Sequence, residues 1–291
     1  MLNPVSTPTP SSSKEQSEAT AISVTFVVLC FLFSTPFWYL SAHPLSGKST
    51  SLISVANMWC PALAAIVARL LFRHSLKGFG FTLGRVRWLA LALLLPALAG
   101  LVMYGSAWLF HIAPFNDAKI YKLFALSFIP LFFGMMVFNT LAALGEELGW
   151  RGLLVPELSR RMGYTKLSFV SGLIWTVWHL PLILFGSSHG TGPLWVSLAF
   201  FTLFVLASSF VHAWMRLVSG SIWVSALLHG SANYFIQAFY PAFTTRTPEG
   251  DAMLGEFGWA APIVSVVIAA VFWCYRSRVP SIAADQKMPD R

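Results

Sequence analysis

Apolar residues in this chain neither alternate nor recur on one face; they continue in long unbroken runs. Eight such runs stand at Ala21–Leu40, Leu52–Phe72, Trp88–Phe110, Tyr121–Leu144, Leu167–Phe185, Leu194–Met215, Ser221–Tyr240 and Trp259–Tyr275. Each comes close to the roughly 20 residues that a helix needs to cross ~30 Å of hydrocarbon. The runs are too long and too continuously apolar for barrel strands, so they predict helices. The fourth continues as helix through Arg151 towards Leu158. The expected fold class is therefore all-α, a polytopic membrane protein of about eight transmembrane helices. Its membrane domain covers 21–275, and its motif-bearing core covers about 120–240. Residues 1–20, rich in Ser, Thr and Pro, read as a disordered cytoplasmic tail, and 276–291 as a second cytoplasmic tail. No basic segment abuts a short apolar stretch with a small-residue cleavage site, so no signal peptide is expected.

Composition sharpens this picture. Hydrophobic residues make up 56% of the 291 and charged residues only 10%, against about a quarter charged in soluble domains. A soluble globular enzyme, a disordered chain and a disulfide-stapled secreted domain are all excluded. Cys30, Cys60 and Cys274 lie inside apolar runs without pairing arithmetic and read as packing residues. The net charge of +8 forms no continuous basic face, and no nucleic-acid partner is expected.

The basic residues report topology instead. Thirteen Lys and Arg fall in connections on one side, among them Arg73, Lys77, Arg160, Arg161, Arg216 and Arg276. Four fall on the other: Lys48, Lys119, Lys122 and Arg246. Arg69 and Arg151 lie within helices. The positive-inside rule puts both termini in the cytoplasm and the acidic loop of Glu249, Asp251 and Glu256 outside. The lipid bilayer, of an inner or cell membrane, is thus a partner.

Charge inside a span costs about 2.5–3.5 kcal/mol on insertion scales and marks function. The chain has only 11 acidic residues, yet Glu146 and Glu147 are adjacent within the fourth run. Arg151, four residues after Glu147, shares its helix face and can pair with it. Glu146 points about 100° away, towards some other group. Two carboxylates this close in a low dielectric offer a route to a general base. The bland alternative is an ion pair at a helix end, but a pair needs one Glu.

Three histidines bear on that site. At 1.5 Å per residue, His179 stands ~18 Å in from Leu167, His229 ~12 Å in from Ser221 and Glu146 ~21 Å in from Arg160. All three reach similar depth, and Asn233 shares a face with His229. His212, only ~6 Å from Arg216, reads as interfacial. A Glu–His pair can hold and deprotonate a water, and a His–Asn pair can face an oxyanion. No Ser, Cys or Thr stands in a nucleophile context. Glu146, His179 and His229 can also serve as ligands to Zn²⁺, although HExxH is absent. Hydrolysis of a peptide bond is the leading reading. A binding protein that does not cleave and a proton-coupled transporter stay open beside it.

Here the residues meet a family. Glu146, Glu147 and Arg151 as EExxxR, then Trp175 and His179 as aromatic-xxx-His, then His229 and Asn233 as HxxxN, resemble the CPBP intramembrane protease family. That family includes type II CAAX prenyl endopeptidases and bacterial Abi or bacteriocin-processing proteins. The resemblance implies an eight-helix fold whose catalytic cavity opens to the cytoplasmic half. It implies that Glu146 and His179 activate water, that His229 and Asn233 stabilise an oxyanion, and that Arg151 with Glu147 fixes the helix. It implies a peptide or lipidated-protein substrate, with a non-proteolytic bacteriocin-immunity protein as the alternative. Family members are often titled metalloproteases, and a metal-free glutamate mechanism is also argued for them. Trp175 stands where Phe is commoner in prenyl-protein members; the exchange reads as conservative for packing and bears against a prenylated substrate.

Overall fold

A computed structural model of the protein describes residues 12–43, 50–124, 126–186 and 190–280. The elements run α1 Ser13–Ala42, α2 Thr50–Arg73, α3 Val86–Leu109, α4 Phe128–Glu147, α5 Val155–Ser159, α6 Tyr164–Phe185, α7 Leu194–Ser219, α8 Ile222–Tyr234, α9 Tyr240–Ala242, α10 Pro248–Met253 and α11 Ala260–Cys274. Two π-helical segments interrupt the order, Leu148–Leu154 after α4 and Phe235–Phe239 after α8. Among the described residues there is no strand, only an isolated bridge between Phe115 and Thr244. The all-α membrane architecture stands. Among the described residues six helical stretches are long and apolar enough to span, and the fourth runs from Phe128 to Ser159. α11 is a shorter apolar helix, and α8 runs on through its π continuation to Phe239.

Two boundaries differ from expectation. The helix of the first run begins at Ser13, so residues 13–20 are helical rather than tail. The cause is a capping box: Ser12 Oγ accepts from Glu15 N–H while the Glu15 carboxylate accepts from Ser12 N–H, satisfying two otherwise orphaned donors. Residues 1–11 and 281–291, and with them the rest of both expected tails, lie outside the described residues, as do Lys48 and His189. The fourth helix starts at Phe128, because 117–124 wind as a 3₁₀ segment.

The helices pack as neighbours α1 on α2, α2 on α4, α4 on α8, α6 on α7 and α7 on α11. A Cβ on Gly145 would lie 2.6 Å from the Met58 carbonyl oxygen, so the glycine is what lets α2 press against α4 beside the two glutamates. Trp178 crosses from α6 to α1, its Nε1–H donating to Ser34 Oγ at 2.8 Å.

Candidate active site

Glu147 and Arg151 form the expected i, i+4 pair: Arg151 Nη1–H donates to Glu147 Oε1 at 2.9 Å, both fully buried. The same oxygen accepts from His229 Nδ1–H at 3.0 Å, and His212 Nδ1 stands 3.6 Å from Oε2. Glu147 therefore ties α4 to α8, with His212 of α7 beside it. The Arg151 guanidinium lies over the Trp175 ring, 4.1 Å from its centroid. Arg151 sits in the π segment, a local unwinding frequent at functional sites.

Glu146 points elsewhere, as the helical offset requires. Its Oε2 accepts from Trp175 Nε1–H at 2.8 Å, and the side chain borders a cavity of about 260 Å³. Trp175 is thus more than a packing equivalent of Phe, because Phe has no N–H to give. His179 Nδ1–H donates to the Trp175 carbonyl at 2.8 Å. A carbonyl oxygen only accepts, so the proton is on Nδ1 and Nε2 is the nitrogen left for the cavity. The bond to Glu147 leaves His229 Nε2 free in the same way. His179, His229 and Asn233 all line this cavity together with Glu146. Asn233 Oδ1 accepts a long hydrogen bond from Gln237 Nε2 at 3.4 Å.

His212 corrects the sequence reading. It is 5% exposed, lines the cavity and packs edge-on against both Trp175 and His229. Its depth was counted from Arg216 as a boundary residue, but Arg216 is itself 7% exposed. Arg216 Nε–H donates to the Arg151 carbonyl at 2.8 Å, and Nη2–H reaches the Gly78 and Phe79 carbonyls, each at 3.2 Å. A Cβ on Gly80 (φ +81°) would lie 2.5 Å from Gly220 O and 2.7 Å from Arg216 Nη2, so glycine is required where this loop closes on Arg216. Arg216 is a plug below the site rather than a cytoplasmic loop charge.

Two further residues escaped the sequence. Asn57 of α2, 2% exposed, lines the cavity, and among the described residues its Oδ1 has no hydrogen-bond partner. Glu256, half-buried on the loop between α10 and α11, lines the cavity and accepts from Gln237 Nε2–H at 3.2 Å. Nothing in periodicity or spacing marks either one; only tertiary packing brings them here.

The cavity has a direction. The start of α8 hydrogen-bonds the loop after α2, Ile222 N–H to Gly80 O and Trp223 Nε1–H to Phe81 O. That end of the bundle carries Arg73 and Arg216. Gln237 lies ~24 Å further along the same helix, and Ser54 lies at the opposite end of α2 from Arg73. The exposed lining residues Ser54 and Gln237 stand at the end of the cavity away from these basic residues.

The donor set bears on whether a metal fits here. The Nδ1 hydrogen bonds of His179 and His229 aim both Nε2 atoms inward, as the outer partners of metal ligands do. Among the described residues, however, no three or more His, Cys, Asp or Glu side chains gather closely enough to hold an ion. The arrangement as it stands is not a metal cage.

Comparison with known proteins agrees with the motifs. Residues 127–235 match the family described as type II CAAX prenyl endopeptidase Rce1-like. Over 98 residues the chain is 36% identical to CAAX prenyl protease 2 of Methanococcus maripaludis, covering 32% of this chain and 34% of that protein. The chain thus matches about a third of the length of this curated relative. Over this stretch the chain is similar to the type II CAAX prenyl endopeptidase Rce1-like family, and its apolar helices make it a multi-pass membrane protein. All seven motif residues, from Glu146 to Asn233, fall within the matched segment.

Proposed function

We propose that the protein is an intramembrane endopeptidase that hydrolyses a peptide bond by direct attack of water. The observation that carries this reading is the Glu146 carboxylate, fixed by Trp175 at the wall of a largely apolar cavity and sharing it with His179, His229 and Asn233. Its relatives' names support a peptidase of the CAAX type.

In this mechanism Glu146 takes a proton from a water oriented jointly with His179 Nε2, and the oxygen adds to the scissile carbonyl. The developing oxyanion accepts from Asn233 Nδ2–H and from Nε2–H of His229 in its imidazolium form, which the Glu147 carboxylate stabilises. Collapse breaks the C–N bond, and Glu146 returns its proton to the leaving amine. Glu147 and Arg151 are positioning residues, since neither lines the cavity. Nothing in this scheme requires a prenyl group on the substrate.

Comparing peptides in membranes of cells carrying the wild-type protein or Glu146→Gln tests the function. Fragments present only with the wild type are expected; identical peptide sets contradict a protease and favour a binding or immunity role.

A further inference from the structure

The proposed chemistry uses the inner part of the cavity and leaves its mouth unexplained. The walls between are apolar, formed by Leu95, Pro96, Phe201, Phe204 and Ile268. At the mouth stand Gln237 and Glu256, joined at 3.2 Å. Among the described residues no Lys or Arg lines the cavity. The nearby cation Arg246 is committed elsewhere, binding Asp251 through two hydrogen bonds of 3.1 and 2.8 Å. Glu256 therefore faces the cavity with no Lys or Arg beside it, sharing the lining with the His229 ring and the second carboxylate, Glu146. A carboxylate at the rim of an apolar cavity is an expensive placement unless a charge partner arrives.

We propose that Glu256 and Gln237 form a cation-binding subsite, which takes a positively charged amine or guanidinium carried by an otherwise apolar peptide. The subsite rests on the proteolytic reading of the same cavity. An apolar stretch lies along the walls, and its cationic group reaches the Glu256 carboxylate at the mouth. Burial, reinforced by Glu146 and opposed by His229, pushes the Glu256 carboxyl up to about 7. An arriving cation favours the ionised form and so completes its own site.

The cationic group has two sources, a free amino terminus or a Lys or Arg side chain, and binding probes separate them. Three fluorescent apolar octapeptides serve: one acetylated with a single Lys, one with a free amino terminus and no Lys, and one acetylated with Glu in place of Lys. Binding is measured to full-length Glu146→Gln protein in nanodiscs, so that hydrolysis does not intervene. At least one cationic probe is expected to bind about tenfold tighter than the Glu probe, a difference of about 1.4 kcal/mol. Whichever cationic probe binds identifies the source. Adding Glu256→Gln is expected to abolish the preference and Glu256→Lys to reverse it, which loss of fold alone cannot do. Equal binding of all probes, or a preference unchanged by both substitutions, overturns the subsite. Separate cleavage of the Lys and free-amine probes by wild type reports on the function itself. A Glu256-dependent preference without cleavage of either probe by the wild type leaves the subsite standing and removes the protease.

Discussion

The indole N–H of Trp175 donates to Glu146 Oε2 at 2.8 Å, while the Arg151 guanidinium lies 4.1 Å over the same ring. One side chain thus links the cavity-facing carboxylate to the buried ion pair behind it. Replacing Trp175 with Phe keeps a ring for Arg151 and removes the donor. A hydrogen bond to a charged group is worth about 1.5–3 kcal/mol, so kcat is expected to fall about 10- to 100-fold. The unfolding midpoint should fall as well, because the same buried bond stabilises the fold. Peptide cleavage beside thermal unfolding checks this, and an unaltered kcat removes Trp175 from the mechanism.

Glu147 and Arg151 are expected to matter for stability more than for contact with substrate. Removing one partner of a fully buried pair leaves the other charge uncompensated, at a cost of about 3–5 kcal/mol. Glu147→Gln and Arg151→Met should each destabilise by that order, and the double variant by less than the sum. Equilibrium unfolding in micelles closes the cycle. Additive losses would show that the pair is not coupled.

Part of this site is legible in the chain itself. The i, i+4 relation of Glu147 to Arg151 and the 100° offset of Glu146 follow from helix geometry alone, and the structure shows both. The common depth of His179 and His229 follows from counting rise per residue. His212 was lost because the count began at Arg216, whose charge marked a boundary; carbonyls of Gly78, Phe79 and Arg151 instead hold that charge inside. Asn57 and Glu256 were illegible for another reason. A single amide in an apolar run and a carboxylate in a loop acquire meaning only when helices distant in sequence enclose the same space. The hydrogen-bonding part of Trp175 is similar, since spacing says aromatic but only the facing carboxylate shows why an N–H is present.

The Glu256 carboxyl gives a pH dependence with a definite sign. Its pKa rises from 4.5 to about 7 in the folded protein, through burial and the negative field of Glu146, against the opposing His229. Between these values the folded state holds a proton that the unfolded chain has lost. Stability therefore falls as pH rises from about 4.5 to 7. Unfolding midpoints at about pH 5 and about pH 8, on either side of the folded-state value, should differ more in wild type than in Glu256→Gln. Equal differences in the two proteins would show that Glu256 does not titrate in this range.

The hydrolytic scheme moves its proton through Glu146 alone. Cleavage is accordingly expected to survive exhaustive chelation and to gain nothing from added Zn²⁺. Loss on chelation with recovery on zinc addition would require the histidine Nε2 atoms to close on an ion that the present arrangement does not gather.

The most direct test is the rate at which purified wild type and Glu146→Gln, both shown to be folded in nanodiscs, cleave a substrate recovered from the membrane-peptide comparison. Gln preserves the shape and the acceptor for Trp175 Nε1–H but cannot take a proton from water. General-base action by a positioned side chain contributes about 10²–10⁴-fold, and a loss of at least that order is expected with substrate binding retained. Cleavage by Glu146→Gln at the wild-type rate contradicts the assignment of Glu146 as the base.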